Sequence, residues 1–142
     1  MAKMQTRKNQ SAETGASSRR AGHPVPGLAG PVLRFDLASE TAQLQQEAPY
    51  AATHRNAKTL AKYPDLRIVL TAMKSGTRIE GHKTGSTIAI QTLTGKLRLG
   101  LPDQEVEIPA GSFVTLEPAL PHNVEALEES SFLLTISGPE HA

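Results

Sequence analysis

An all-β sandwich or barrel is the fold class this sequence predicts, and three observations predict it. From Asp65 to Ile136 short segments rich in Leu, Ile, Val and Thr follow one another, at a spacing of roughly 8–12 residues. Turn-forming pairs such as Ser75-Gly76, Gly85-Ser86, Thr94-Gly95 and Pro102-Asp103 separate them. No apolar stripe of helical period and useful length interrupts the series.

Taken in order, Pro31 to Phe35 reads as a short strand or an extended lead-in. Asp36 then has the chemistry of a helix N-cap, because its carboxylate can accept from the exposed amides of the first turn. Leu37 to Glu47 follows with good helix formers, with Leu37 and Leu44 one heptad apart, and Pro49 is expected to stop the helix. That gives one short amphipathic helix, packed on the outside of a sheet or on a partner chain. Residues 50–63 read as strand or loop, and the run His54-Arg55-Asn56 stands out within them.

From Leu66 to Met73 the β-branched content reads as a strand. Further strands are expected over Arg78–His82, Thr87–Leu93, Lys96–Leu101, Glu105–Ile108, Phe113–Leu116, Asn123–Ala126 and Ser131–Ile136. Leu97, Leu99 and Leu101 share one face, with Lys96 and Arg98 on the other. If Lys96–Leu101 and Glu105–Ile108 form a hairpin, Lys96 and Arg98 are expected to meet Glu105 and Glu107 on the wet side. Such pairs contribute a few tenths of a kcal/mol up to about 1 and help set register.

Composition narrows the function classes. A chain of 142 residues is read as one domain, and with five aromatic residues and no Trp its core must come mainly from aliphatic side chains. The chain has no cysteine, which removes disulfides, thiolate metal sites and thiol nucleophiles. No apolar N-terminal run suggests a secretory signal, so a reducing, cytoplasmic setting and no membrane span are expected. Residues 1–30 carry five basic side chains against Glu13, a net of +4, while the remaining ten basic and thirteen acidic residues give the body −3. The segment 1–30 is read as a disordered basic tail, since it has few large apolar groups to offset its ordering entropy. Residues 31–60 form a lead-in segment with the short helix, and 61–138 the barrel domain. A body without a basic stripe argues against nucleic acid as a partner.

Two glycine-led segments each deliver a histidine: Gly76 to His82, with Gly95 beyond it, and Gly111 to His122. Their spacing resembles the two motifs of the cupin superfamily, over roughly residues 61–138. The resemblance implies a jelly-roll β-barrel. It also marks departures: Thr84 and Ile88 stand where the first motif has its second His and its Glu, and Glu117, Ala119 and Ala126 stand where the second has Pro, Gly and Asn.

In metal-binding cupins three histidines and a glutamate hold one ion, and here the resemblance preserves only His82 and His122. A first-row divalent ion such as Fe, Mn, Ni or Zn wants at least three protein ligands. Glu80, Gln91 and His54 are the candidate substitutes, with Glu117 as a further oxygen donor. The reading that follows is a small-molecule pocket lined by His82, His122, Thr84, Ile88 and Ile90, in a non-catalytic or sensory protein that binds an organic ligand, with no assured cofactor. The alternative is a metal-dependent dioxygenase or isomerase with a reduced ligand set. Metal-free acid–base chemistry with one His as base is a third, though no Lys or Tyr constellation in the barrel supports it. Cupins usually pair, so the resemblance also implies a homodimer with residues 31–60 at its interface.

Overall fold

The computed structural model describes residues 28–81 and 85–138. Within them the chain forms helices α1 (Leu37–Gln46) and α2 (Ala48–Thr53), then nine strands: β1 (Arg55–Tyr63), β2 (Leu66–Met73), β3 (Arg78–Ile79), β4 (Ile88–Thr94), β5 (Lys96–Leu101), β6 (Gln104–Pro109), β7 (Phe113–Leu116), β8 (Asn123–Ala126) and β9 (Ser130–Ser137). They pair antiparallel into a five-stranded sheet, β1-β2-β9-β4-β7, and a four-stranded sheet, β3-β8-β5-β6. The expectation of a basic tail over residues 1–30 falls almost wholly outside the described residues.

Alternation builds the core. Met73, Ile88, Ile90, Leu116 and Phe132 of the first sheet meet Leu97, Leu99, Ile108, Val124 and Ala126 of the second in one buried cluster. Ile88 and Ile90, Leu97 and Leu99, and Val124 and Ala126 are each two positions apart in one strand, and Leu116 and Ile108 are paired with members of the cluster across the ladder, so one face of these strands is apolar. The opposite face of the five-stranded sheet carries a second cluster, in which Leu60, Leu70 and Ala72 are covered by Leu44 of α1 and Tyr50 of α2. The helices therefore lie on the outside of the sheet, within this chain.

Strand bounds match the sequence reading closely from β4 onward, because strict alternation leaves one register that buries the apolar set. Three local expectations differ. First, the helical segment is two helices. Pro49 ends nothing by itself: it occupies the first turn of α2, where its missing N–H costs no hydrogen bond. Asp36 does cap α1, accepting from the Ser39 amide at 3.2 Å. Second, β1 begins at Arg55, so the sheet starts before residue 61, while residues 32–36 form no strand, in keeping with the lead-in alternative. Third, β5 and β6 pair as expected, yet Arg98 forms its ion pair with Glu125 of β8 at 2.9 Å, and only Lys96 approaches Glu107, at 3.9 Å. β5 lies between β6 and β8, so its outward basic residues have acidic neighbours on both sides.

Candidate functional site

At one edge β1 ends the first sheet and β3 ends the second. Arg55 pairs with Met73 and Ala57 with Thr71, so Arg55 and Ala57 share the face of β1 that looks toward the second sheet. Ile79 of β3 approaches from the other side. Between them lies a solvent-open cleft of about 380 Å³, lined by Thr53, Arg55, Asn56, Ala57, Thr71 and Ile79. Apolar walls with a few polar groups are the usual composition of a small-molecule site.

The backbone that delivers Arg55 is unusual. His54 ends α2 in the left-handed conformation, at φ 67°, which a residue with a Cβ seldom adopts. Its carbonyl accepts from the Lys74 amide at 2.9 Å and from the Thr77 hydroxyl at 3.3 Å. These two bonds hold the turn from helix into strand. Arg55 then reaches across the edge and donates through Nη1 to the Arg78 carbonyl at 3.4 Å, a long bond. No carboxylate among the described residues forms an ion pair with Arg55.

His122 precedes β8 by one residue and lies two positions before Val124, a member of the inner core. It is half-buried, and its Nδ1 lies 3.0 Å from the Leu120 carbonyl oxygen. A carbonyl only accepts, so Nδ1 carries a proton there and Nε2 is the acceptor of the neutral ring. Gly81 lies directly beside it: a Cβ built on Gly81 would run into the His122 carbonyl. The ends of the two glycine-led segments thus come together, as the resemblance implies. His82 and Thr84 lie outside the described residues.

The other predicted residues separate. Ile88 and Ile90 are buried in the inner core, 5% and 1% exposed, and pack there against strands of both sheets. Gln91, one position along from Ile90, is exposed on the outward face. Glu80 is exposed and pairs at 2.8 Å with Arg78, away from the face that Ile79 presents to the core. His54 is exposed, and its backbone serves the helix end. Glu117 is exposed in the turn before His122. Among the described residues no three His, Asp or Glu side chains gather as a metal-binding group.

Sequence reasoning singled out Arg55 and Asn56 with His54, and the first two line the cleft. It missed Thr53, Ala57, Thr71 and Ile79. Thr71 did carry a signal, as a hydroxyl on the buried side of a strand that otherwise reads apolar.

Neither protein-family models nor curated proteins match this chain. Solved structures do. A conserved protein of unknown function from Streptococcus pyogenes is similar at 20% identity and TM-score 0.66, over 85% of this chain and 99% of that one. A cupin superfamily protein from Desulfitobacterium hafniense is similar at 12% identity and TM-score 0.62, over 81% and 98%. Oxalate decarboxylase of Bacillus subtilis, a protein with Mn(II) centres, is similar at 22% identity and TM-score 0.54, over 62% of this chain and 26% of that one. The double-sheet barrel of this chain is a cupin fold. Among the described residues no helix is long and apolar enough to cross a membrane.

Proposed function

We propose that this protein binds a small organic ligand at the open edge of its barrel and acts as a binding or sensory module. The cleft between β1 and β3 carries the reading: about 380 Å³ is room for a small molecule, and its walls mix Ala57 and Ile79 with the hydroxyls of Thr53 and Thr71. His122, close to this edge through the Ile79–Val124 pairing, supplies an imidazole that can accept or donate. The rival reading, a metal-dependent dioxygenase or isomerase on His82 and His122, needs a third donor. Among the described candidates, Glu80 is paired with Arg78, and Gln91 and His54 are exposed.

Native mass spectrometry and elemental analysis of protein purified without a histidine tag separate the two. A bound organic mass, or one acquired from a metabolite mixture, is expected in wild type and is expected to fall in Ile79→Trp, which fills the cleft. Near-stoichiometric Fe, Mn, Ni or Zn that disappears in both His82→Ala and His122→Ala overturns the proposal in favour of the enzyme. A homodimer through residues 31–60 belongs to the same proposal, supported by Val32, which is 82% exposed on that segment. Light scattering after size exclusion tests it, with Val32→Asp expected to shift the mass toward one chain.

A further inference from the structure

We infer that the ligand of the β1/β3 cleft is a small carboxylate, and that Arg55 is the residue that selects it. The inference rests on the binding reading above and adds a chemical class to it. Arg55 is delivered to the cleft by a specific local structure. The left-handed turn at His54 is held by two bonds to its carbonyl, and the pairing of Arg55 with Met73 turns it toward the second sheet. Backbone held in a sparsely populated region persists only where its surroundings over-determine it, as these two bonds do.

The electrostatics point the same way. Of the other cations near this edge, Arg78 has Glu80 at 2.8 Å and Lys74 has its ammonium 5.4 Å from the Tyr50 ring centroid. Lys58, further along β1, has Glu40 at 2.8 Å. Arg55 has no acidic partner among the described residues, and its one bond goes to a carbonyl at 3.4 Å. A guanidinium stays charged at every physiological pH and offers two parallel N–H donors, the geometry that matches a planar carboxylate. Beside it, Thr53 and Thr71 supply hydroxyl groups to the cleft, and Ala57 and Ile79 supply a short apolar wall. A carboxylate with a brief aliphatic or aromatic body meets all three demands. A neutral molecule of equal size leaves the cation unpaired.

The test is a titration of the full chain followed by amide NMR, with acetate, succinate and benzoate as probes. Acetamide, succinamide and benzamide serve as neutral isosteres and inorganic phosphate as the other anion. At least one carboxylate is expected to move the resonances of Ala57, Thr71 and Ile79. Arg55→Gln is expected to weaken it at least tenfold, and Arg55→Lys to retain part of the affinity because it keeps charge without the fork. Arg98→Gln, on the outer face of the other sheet, is the control and leaves binding unchanged. If the amides bind the same residues with equal affinity in wild type and Arg55→Gln, the carboxylate inference falls while the ligand-binding reading stands. Phosphate binding with Arg55 dependence, and no response to any carboxylate, also overturns it. If no probe moves the cleft residues, the inference is overturned, and the metabolite-mixture experiment above decides the broader reading by itself.

Discussion

Where β5 lies between β6 and β8 the barrel is dry, and where β1 faces β3 it is open. In the closed region Leu97 and Ala126 are fully buried and paired with each other across the ladder, and Leu99 is 1% exposed. At the open edge Arg55, Ala57 and Thr53 are exposed, β3 is two residues long, and the nearby chain turns through a left-handed His54. The contrast separates two uses of one sheet pair. Apolar alternation closes a barrel by itself. Keeping one edge apart takes polar side chains, a very short strand and a constrained turn.

Breaking the closed region has the largest expected effect. Leu97→Ala removes three buried carbons from a site enclosed by both neighbouring strands and is expected to cost about 2–5 kcal/mol, the range for large-to-small changes in a well-packed core. Urea denaturation measures it, and a loss below about 1 kcal/mol contradicts a packed interior at that position. At the open edge Arg55→Gln is expected to change stability by less than about 0.5 kcal/mol, since the side chain is exposed. Next in size is Gly81→Val. The Cβ would meet the His122 backbone rather than a yielding side chain, so the chains must separate. Overpacking of this kind costs about 1–3 kcal/mol. The same denaturation series checks it, and the amide resonance of His122 should shift. A neutral result would mean that the two glycine-led segments do not touch.

The closed region was legible in the sequence and the open edge largely was not, for one physical reason. Lys96 to Leu101 alternates so strictly that only one face can be buried, so strand, face and partner follow together. In Arg55-Asn56-Ala57-Lys58-Thr59 neither face is apolar, and the side on which Arg55 lies is fixed only by its pairing with Met73. Glu80 shows the same difficulty. Its side chain goes outward to Arg78, because the apolar Ile79 takes the inward position on β3. The second helix was hidden by Pro49, which read as a helix stop but occupies the first turn of α2.

A smaller effect tests whether the helices hold the open edge in place. The Tyr50 ring is buried under α2, and its hydroxyl donates to the Glu129 carboxylate at 2.5 Å in the turn between β8 and β9. Lys74 Nζ lies 5.4 Å from the ring centroid. Burial first, and then the bond to Glu129, push the Tyr50 hydroxyl well above the usual phenol range. Tyr50→Phe keeps the ring and loses the bond, for an expected cost of about 1–2 kcal/mol at neutral pH. The pH dependence has a definite sign. The unfolded phenol ionises near pH 10, whereas the folded one resists, so the unfolded state gives up its proton first. Wild-type stability should therefore be level below about pH 10 and fall above it. Tyr50→Phe should lack the part of that fall due to this group. Denaturation midpoints across pH 8 to 11 read this, and parallel curves for the two proteins would show that Tyr50 is not held as described. Because α2 leads directly into Arg55, the variant should also broaden the amide resonances of residues 54–57 if the latch positions that edge.

A small expected change goes in the other direction. Ala119, in the turn that leads to His122, has φ 68°. A left-handed backbone costs a residue with a Cβ about 1–2 kcal/mol, and glycine escapes that cost while giving up some unfolded-state restriction. Ala119→Gly should thus stabilise the protein by up to about 1 kcal/mol. The same change at an ordinary exposed strand position, such as Ala57 of β1, should destabilise it by roughly 0.5–1 kcal/mol. If Ala119→Gly stabilises the fold but weakens ligand binding, the constrained turn is tuned to hold His122 for its ligand. If it stabilises the fold and leaves binding unchanged, the strain at Ala119 is a local cost of the turn, and the specificity of the open edge rests on β1.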